Sequence, residues 1–266
     1  MSRIGLIAGS GRFPIYFLQA ARKNGYEVYA AAIKDEASPK VFELASHATS
    51  IYVGDFQKVI DFFVDAGVKQ IIMAGRIPKT VMFESLKPDE RLAEFLQKLP
   101  AQNDNVLLGA FISEFRKEGI EVCDSTTFLS FLLPEKGTLT KREPNEREWA
   151  DINFGFDIAK QIAGMDIGQT VVIKDRVVVA VEAIEGTDAA ILRGGELGQG
   201  NITVVKVARP RQDKRYDMPT VGVDTVEYLK KAGATCLAFE NKMTLLLDKD
   251  EVVRLADEAG IAIVVI

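Results

Sequence analysis

Histidine is nearly absent from this chain: His47 is the only one in 266 residues. A zinc site or a catalytic pair built from imidazoles is therefore excluded. Cysteine is scarce too, with only Cys123 and Cys236, far apart and each in or beside an apolar run. That predicts reduced, packed thiols in a cytoplasmic protein, not a disulfide scaffold. No apolar run approaches the roughly 18 residues of a spanning helix. The opening run, Ile4 to Ala8, is too short for the apolar core of a secretion signal and ends at glycines. No long stretch is rich in Gly, Ser and Pro, which argues against wholesale disorder. Positive charge is in deficit: 33 Lys and Arg face 38 Asp and Glu, a net charge of −5. That balance speaks against general nucleic-acid binding, which favours a basic face.

Apolar residues make up 47% of the chain, ample for one large domain or two compact ones. Ile4 to Ala8 is an unbroken apolar run, the mark of a buried parallel strand. A glycine turn follows, and Pro14 suits a first helical turn before the stop at Asn24 and Gly25. Glu27 to Ile33, Ser50 to Val53 and Gln70 to Ala74 read as further strands. Phe56 to Ala66, Pro88 to Leu99 and Asn103 to Lys117 read as helices, and Ile120 to Cys123 as a closing strand. This alternation predicts a Rossmann-like domain with a parallel sheet over residues 1–132. The polar, proline-bounded stretch 133–147 reads as a linker.

Residues 148–266 read as a mixed α/β domain. A helix over Glu148 to Ala163 is expected to bury Trp149, Ile152, Phe156 and Ile162. Thr170 to Ile173 and Val177 to Ala183 should pair as a hairpin. A helix should then run toward Gly194 and Gly195, and Ile202 to Val207 should be a strand. A helix starting near Asp224 precedes expected strands at Cys236 to Phe239 and Met243 to Leu247. Asp248 to Ala259 reads as a last helix and Ile261 to Ile266 as a last strand.

The densest chemistry lies in Lys206 to Thr220. Lys206, Arg209, Arg211, Lys214 and Arg215 place five cations within ten residues, opposed only by Asp213 and Asp217. Pro210 and Pro219 stiffen the stretch. Guanidinium forks grip phosphate oxygens in pairs, so a polyanion fits. The two carboxylates either neutralise the arginines or hold a divalent metal that faces phosphate. Three other clusters stand beyond strand ends, where ligands bind in open α/β sheets. Gly9, Ser10 and Gly11 form a turn whose amides could meet a phosphate at a helix start. The third glycine of a dinucleotide fingerprint would fall at Pro14, so that fingerprint fails. Arg76 and Lys79 place two cations on one constrained loop. Glu185, Thr187 and Asp188 surround Gly186 and suit either a metal or sugar site or a helix cap. Asn103 to Asn105 is most simply a cap, with contact to a sugar or a metal as the alternative.

Four segments together resemble the LpxI family: Ala8 to Pro14, Gly75 to Lys79, Val181 to Asp188 and Lys206 to Thr220. The resemblance runs from residue 3 to 266, and its specific parts are Glu185 to Asp188 and Gln212 to Pro219. Members are UDP-2,3-diacylglucosamine pyrophosphatases of lipid A biosynthesis. The resemblance implies hydrolysis to UMP and 2,3-diacylglucosamine 1-phosphate (lipid X), dependent on Mg²⁺ (or Mn²⁺), with water attacking the β-phosphorus. It implies a key acidic role for Asp217, with Asp213 and Arg215 beside it as catalytic residues. Metal ligands are expected from Asp213, Asp217 and Glu185. Substrate contacts are expected from Gly9, Ser10, Gly11, Arg76, Lys79, Thr187, Asp188, Lys206, Arg209 and Thr220. One departure is Arg209-Pro210-Arg211, where a lysine and an uncharged residue would flank the proline.

The expected partner is thus a UDP-linked diacyl sugar lipid, met by a cytoplasmic protein in transient contact with the inner-membrane surface, as monomer or homo-oligomer. A different class, a non-catalytic carrier or sensor of a nucleotide or phospholipid, would use the same cations without turnover.

Overall fold

The computed structural model describes residues 2–77, 87–97, 104–216 and 218–266. Of the residues singled out above, Lys79, Asn103 and Asp217 lie outside the described residues, as does the C-terminal end of the helix read at Pro88 to Leu99. The chain divides into two units. One holds the residues up to Ser130 together with a short later segment beginning at Lys214; the other holds Phe131–Asp213 and Met218–Ile266.

In the first unit β1 (Ser2–Ala8), β2 (Tyr26–Ile33), β3 (His47–Ile51), β4 (Gln70–Ala74) and β5 (Glu121–Val122) form one sheet in the order β3-β2-β1-β4-β5. Every pairing in it is parallel. The chain leaves β3 and returns on the far side of β1 as β4, so the direction of winding reverses between β1 and β4, where the carboxyl ends of strands open a crevice. The described helices are α1 (Phe13–Lys23), α2 (Lys40–Leu44), α3 (Phe56–Asp65), α4 (Glu90–Gln97) and α5 (Asp104–Lys117). α2 escapes periodicity because it is a single turn. Pro14 stands at the start of α1, where a missing amide costs nothing. Phe56 on α3 meets Phe111 and Phe115 of α5 edge to face, at ring-centroid distances of 4.8 and 5.4 Å. Tyr216, from the late segment, belongs to this same core.

The second unit is built on a six-stranded mixed sheet. Its strands are β6 (Gly137–Thr138), β7 (Thr170–Lys174), β8 (Val177–Val181), β9 (Ile202–Lys206), β11 (Ala234–Phe239) and β13 (Ala262–Val265), ordered β6-β13-β11-β9-β7-β8. β9, β11 and β13 run parallel; β6 and the β7–β8 hairpin are antiparallel to their neighbours. All of β9 is buried, with Val204 in the core on one face and Val205 in that on the other. α6 (Glu146–Gly164) packs on β7 and β9 through Gly155, where a Cβ would come within 2.9 Å of both Ile173 and Val205. α7 (Thr187–Gly198) packs on β7 through Gly194, where a Cβ would come within 2.6 Å of Val172. The pair Gly194 and Gly195 is therefore a close-packing surface inside α7 and not its end. Trp149, expected in the core, is 38% exposed. α8 (Val223–Lys231) and α9 (Lys249–Glu258) complete the unit. The strand read at Met243 to Leu247 is the short β12 (Leu245–Leu246), which pairs with β10 (Thr220–Val221) in a sheet of two strands.

The stretch 133–147, read as a linker, is bonded into the second unit. β6 pairs with β13, and the hydroxyl of Thr140 accepts the amide of Ile263 at 2.9 Å. Arg142 reaches Glu148 with two guanidinium nitrogens, at 2.8 and 3.0 Å, and also donates to the carbonyl of Thr235. Its polar residues look like a linker's because their partners are distant in sequence.

Candidate active site

β9 ends at Lys206, a lysine only 8% exposed. A buried ammonium needs acceptors, and Lys206 Nζ donates to Thr187 Oγ1 at 3.1 Å. Thr187 is the first residue of α7 and is aimed by Gly186, whose φ of 84° turns the chain off the β8 exit. Its hydroxyl donates onward to Glu182 Oε1 at 2.9 Å and stands 3.4 Å from Thr170 Oγ1. Thr170 sits opposite Lys206 in the β7–β9 ladder, so sheet register brings it there. Glu182 Oε2 accepts the amide of Gln169 at 3.2 Å. The result is a chain of contacts, Lys206 to Thr187 to Glu182, at the carboxyl end of β9. Beside it the side-chain oxygen of Gln169 is buried with no hydrogen-bond partner among the described residues.

A second group fixes the path out of the strand. Lys160, on α6, donates to both carboxylate oxygens of Glu240, at 3.0 and 3.1 Å, and to the carbonyl of Ala208 at 2.8 Å. Glu240 Oε2 accepts the amide of Ala208 at 2.8 Å, and the amide of Glu240 donates to the carbonyl of Lys206 at 3.1 Å. The cationic loop thus starts from a rigid footing. Arg209 Nε then donates to Asp166 Oδ1 at 2.7 Å, and the turn closes with the amide of Gln212 on the carbonyl of Arg209.

The structure brings together Lys206 and Thr187, with Asp188 on the same first turn of α7. Glu185 lies apart from that chain of contacts. It pairs with Arg193 at 2.7 Å and accepts the amide of Ala183. Backbone amides and the Arg193 guanidinium hold its carboxyl below the usual carboxylate range. A guanidinium so close competes directly with a bound cation. Thr220 opens β10. Among the described residues no three His, Cys, Asp or Glu side chains gather in a way that could hold a metal. Asp217, one of the carboxylates expected to hold Mg²⁺, lies outside the described residues.

In the first unit the glycine turn is tied to the loop after β4. The amide of Gly9 donates to the carbonyl of Ala74 at 2.9 Å, and Ser10 and Arg76 exchange backbone hydrogen bonds at 2.8 and 3.1 Å. Ser10 Oγ also donates to the Arg76 carbonyl, at 2.7 Å. Two amides of the expected phosphate cradle are thus engaged by backbone acceptors. Gly11, at φ 90°, follows them into α1. Gly9, Ser10, Gly11 and Arg76 stand together at the reversal between β1 and β4.

Arg215 belongs to this first unit. Its segment is held by Ser125, whose amide and hydroxyl both donate to the carbonyl of Lys214, at 2.8 and 2.7 Å. Arg215 lines a pocket with Arg116, Cys123 and Asp124 at the end of β5. The described part of the cationic loop therefore divides: Lys206, Arg209 and Asp213 lie in the second unit, Lys214 and Arg215 in the first.

Comparison with known proteins decides the family. The model of the LpxI N-terminal domain matches residues 3–132, and that of the LpxI C-terminal domain matches residues 135–264. The chain belongs to the LpxI family. UDP-2,3-diacylglucosamine pyrophosphatase LpxI of Caulobacter vibrioides is 29% identical over 272 residues, which is 98% of this chain and 96% of that one. A bifunctional purine biosynthesis protein PurH of Bacillus subtilis is 33% identical over 130 residues, 47% of this chain and 22% of that protein. Among solved structures, the biotin carboxylase domain of a thermophilic 2-oxoglutarate carboxylase is 13% identical, with a TM-score of 0.30, over 65% of this chain and 35% of that one.

Among the side chains of this candidate site that sequence reasoning missed are Glu182, Lys160 and Glu240. Glu182 carried a signal, since it directly follows the apolar run of β8. Lys160 and Glu240 carried none, because they meet only when α6 lies over the end of β11.

Proposed function

We propose that this chain hydrolyses the pyrophosphate bond of UDP-2,3-diacylglucosamine, giving UMP and 2,3-diacylglucosamine 1-phosphate. The observation that carries this reading is the end-to-end match to a relative bearing that activity in its name, across both family domains. The geometry supports it. Splitting an anhydride requires fixed positive charge where oxygen charge develops and a water held in line. Lys206 offers an ammonium positioned by Thr187 and Glu182, and Arg209 a guanidinium positioned by Asp166.

In the proposed step water adds to the β-phosphorus, the bond from that phosphorus to the bridging oxygen breaks, and UMP departs. The water's proton passes to a carboxylate, a role assigned to Asp217 and, second, to Asp213, and Arg215 adds positive charge. Gly9, Ser10, Gly11, Arg76, Lys79, Asp188 and Thr220 are assigned to substrate contacts. A bound Mg²⁺ or Mn²⁺ would supply further charge neutralisation on phosphate oxygens.

The experiment is release of UMP from the purified UDP-lipid, in water enriched in heavy oxygen. Label in the lipid product supports attack on the β-phosphorus, and label in UMP moves the attack to the other phosphorus. Absence of UMP under every divalent metal ion tried overturns the reading. Loss of turnover on chelation, restored by Mg²⁺ or Mn²⁺, supports the metal.

A further inference from the structure

Three large apolar side chains stand out into solvent at one end of the second unit. Met165 is 62% exposed, Ile167 47% and Ile184 78%. Met165 and Ile167 lie in the turn that enters β7, and Ile184 in the turn that leaves β8. The two strands are antiparallel, so these turns are neighbours: Val171 pairs with Val181, and the amide of Glu182 donates to the carbonyl of Thr170 at 2.9 Å.

The turns are held rigidly. Gly168 lies so close to the next strand that a Cβ on it would fall 2.0 Å from the carbonyl oxygen of Glu182. The ring of Pro210 lies 3.6 Å from the place a Cβ on Gly164 would take. Asp166, at φ 61°, accepts Arg209 Nε at 2.7 Å. The apolar chains are thus presented on a fixed scaffold beside the start of the cationic loop.

The carboxylates of the two turns all have partners: Asp166 has Arg209, Glu185 has Arg193, and Glu182 has the Gln169 amide and the Thr187 hydroxyl. Arg211 is exposed on the turn from Arg209 to Gln212. An apolar tip beside the exposed guanidinium of Arg211 matches the boundary between lipid headgroups and acyl chains. No helix among the described residues is long and apolar enough to cross a membrane, so contact at this tip would be interfacial.

We propose that Met165, Ile167 and Ile184 seat the second unit on an anionic bilayer, with Arg211 meeting lipid phosphate. The inference rests on the diacyl-lipid substrate of the reading above, which places the reaction at a bilayer. The test is flotation of the full chain with vesicles of phosphatidylethanolamine, with and without phosphatidylglycerol. Wild-type protein should float with the anionic vesicles. The triple variant Met165→Ser, Ile167→Ser, Ile184→Ser should partition at least tenfold less, with an unchanged circular dichroism spectrum and melting temperature. Equal partition of the two proteins overturns the proposal, and so does a wild type that ignores anionic vesicles. A wild-type dimer that the triple substitution dissociates, seen by light scattering, overturns it in favour of a second copy. Turnover of substrate dispersed in detergent is read separately. A wild type that turns over dispersed substrate but ignores the vesicles sinks the surface alone, and one that binds vesicles without any turnover sinks the functional reading alone.

Discussion

Lys206 and Thr187 come from the end of a strand and the start of a helix, and the lysine ammonium lies 3.1 Å from the threonine hydroxyl. Each makes the other tolerable. The lysine is buried and needs an acceptor; the threonine passes its own proton on to Glu182 and is free to accept.

Thr187→Val should therefore leave a buried ammonium and a carboxylate each short of a partner. The expected cost is about 1–3 kcal/mol of stability, read from urea midpoints, together with a fall in UMP release. Thr187→Ser keeps the hydroxyl and should recover most of both. Full activity in the valine variant would remove this contact from the site.

Glu185 and Asp217 should behave differently on removal. Glu185 faces Arg193, so Glu185→Gln should leave the metal dependence of turnover unchanged. Asp217→Ala should reduce kcat by about 10²- to 10⁴-fold if it accepts the proton of the attacking water. Steady-state kinetics across a Mg²⁺ series distinguishes the two. A shifted metal optimum in the Glu185 variant would return that residue to the metal site.

The backbone bridge between Gly9 and Gly75 has no room for side chains. A Cβ at Gly9 would lie 2.7 Å from the Arg76 carbonyl oxygen; one at Gly75 would lie 2.6 Å from that of Ser10, on a residue whose φ is 92°. Either glycine-to-alanine change should cost about 1–3 kcal/mol by overpacking, seen as a lower denaturant midpoint. Gly11→Ala meets no atom and should cost less, the strain of its positive φ alone.

Glu148 gives an acid-limb prediction. It is 1% exposed. Burial by itself would raise its pKa, but hydrogen bonds from Arg142 and the Asn145 amide outweigh burial and hold it below the usual carboxylate range. A depressed folded-state pKa means stability that is present above the unfolded value and lost as pH falls through the folded one. Melting temperature should drop in that acid range, and more steeply for wild type than for Glu148→Gln, which is less stable at neutral pH but has no such proton to bind. Parallel melting curves against pH would contradict the assignment.

The apolar runs of β1, β2, β4 and β9 were legible because buried parallel strands leave no alternation to misread. β6 and β10 were not, since neither Gly137-Thr138 nor Thr220-Val221 stands in an apolar run. Gly194 and Gly195 looked like a stop because glycine commonly ends helices; only the approach of Val172 and the Ala232 carbonyl shows that they serve packing. At the site, Lys206 and Thr187 were legible as residues but not as a pair, for their contact depends on β7–β9 register and on the φ of Gly186. Glu182 lost out to Glu185 for the same reason: the turn at Gly186, not the spacing, decides which carboxylate meets the threonine.

Tyr216 lies some 90 residues beyond the point where the rest of its unit ends, yet it fills that unit's core, and Ser125 grips the carbonyl two residues before it. The gene cannot be cut into two halves without damage. A fragment stopping at Ser130 would carry an unplugged cavity and an idle serine, and the complementary fragment a stray aromatic ring. Mutations that loosen the arginine loop therefore reach the core of the first unit through the chain itself.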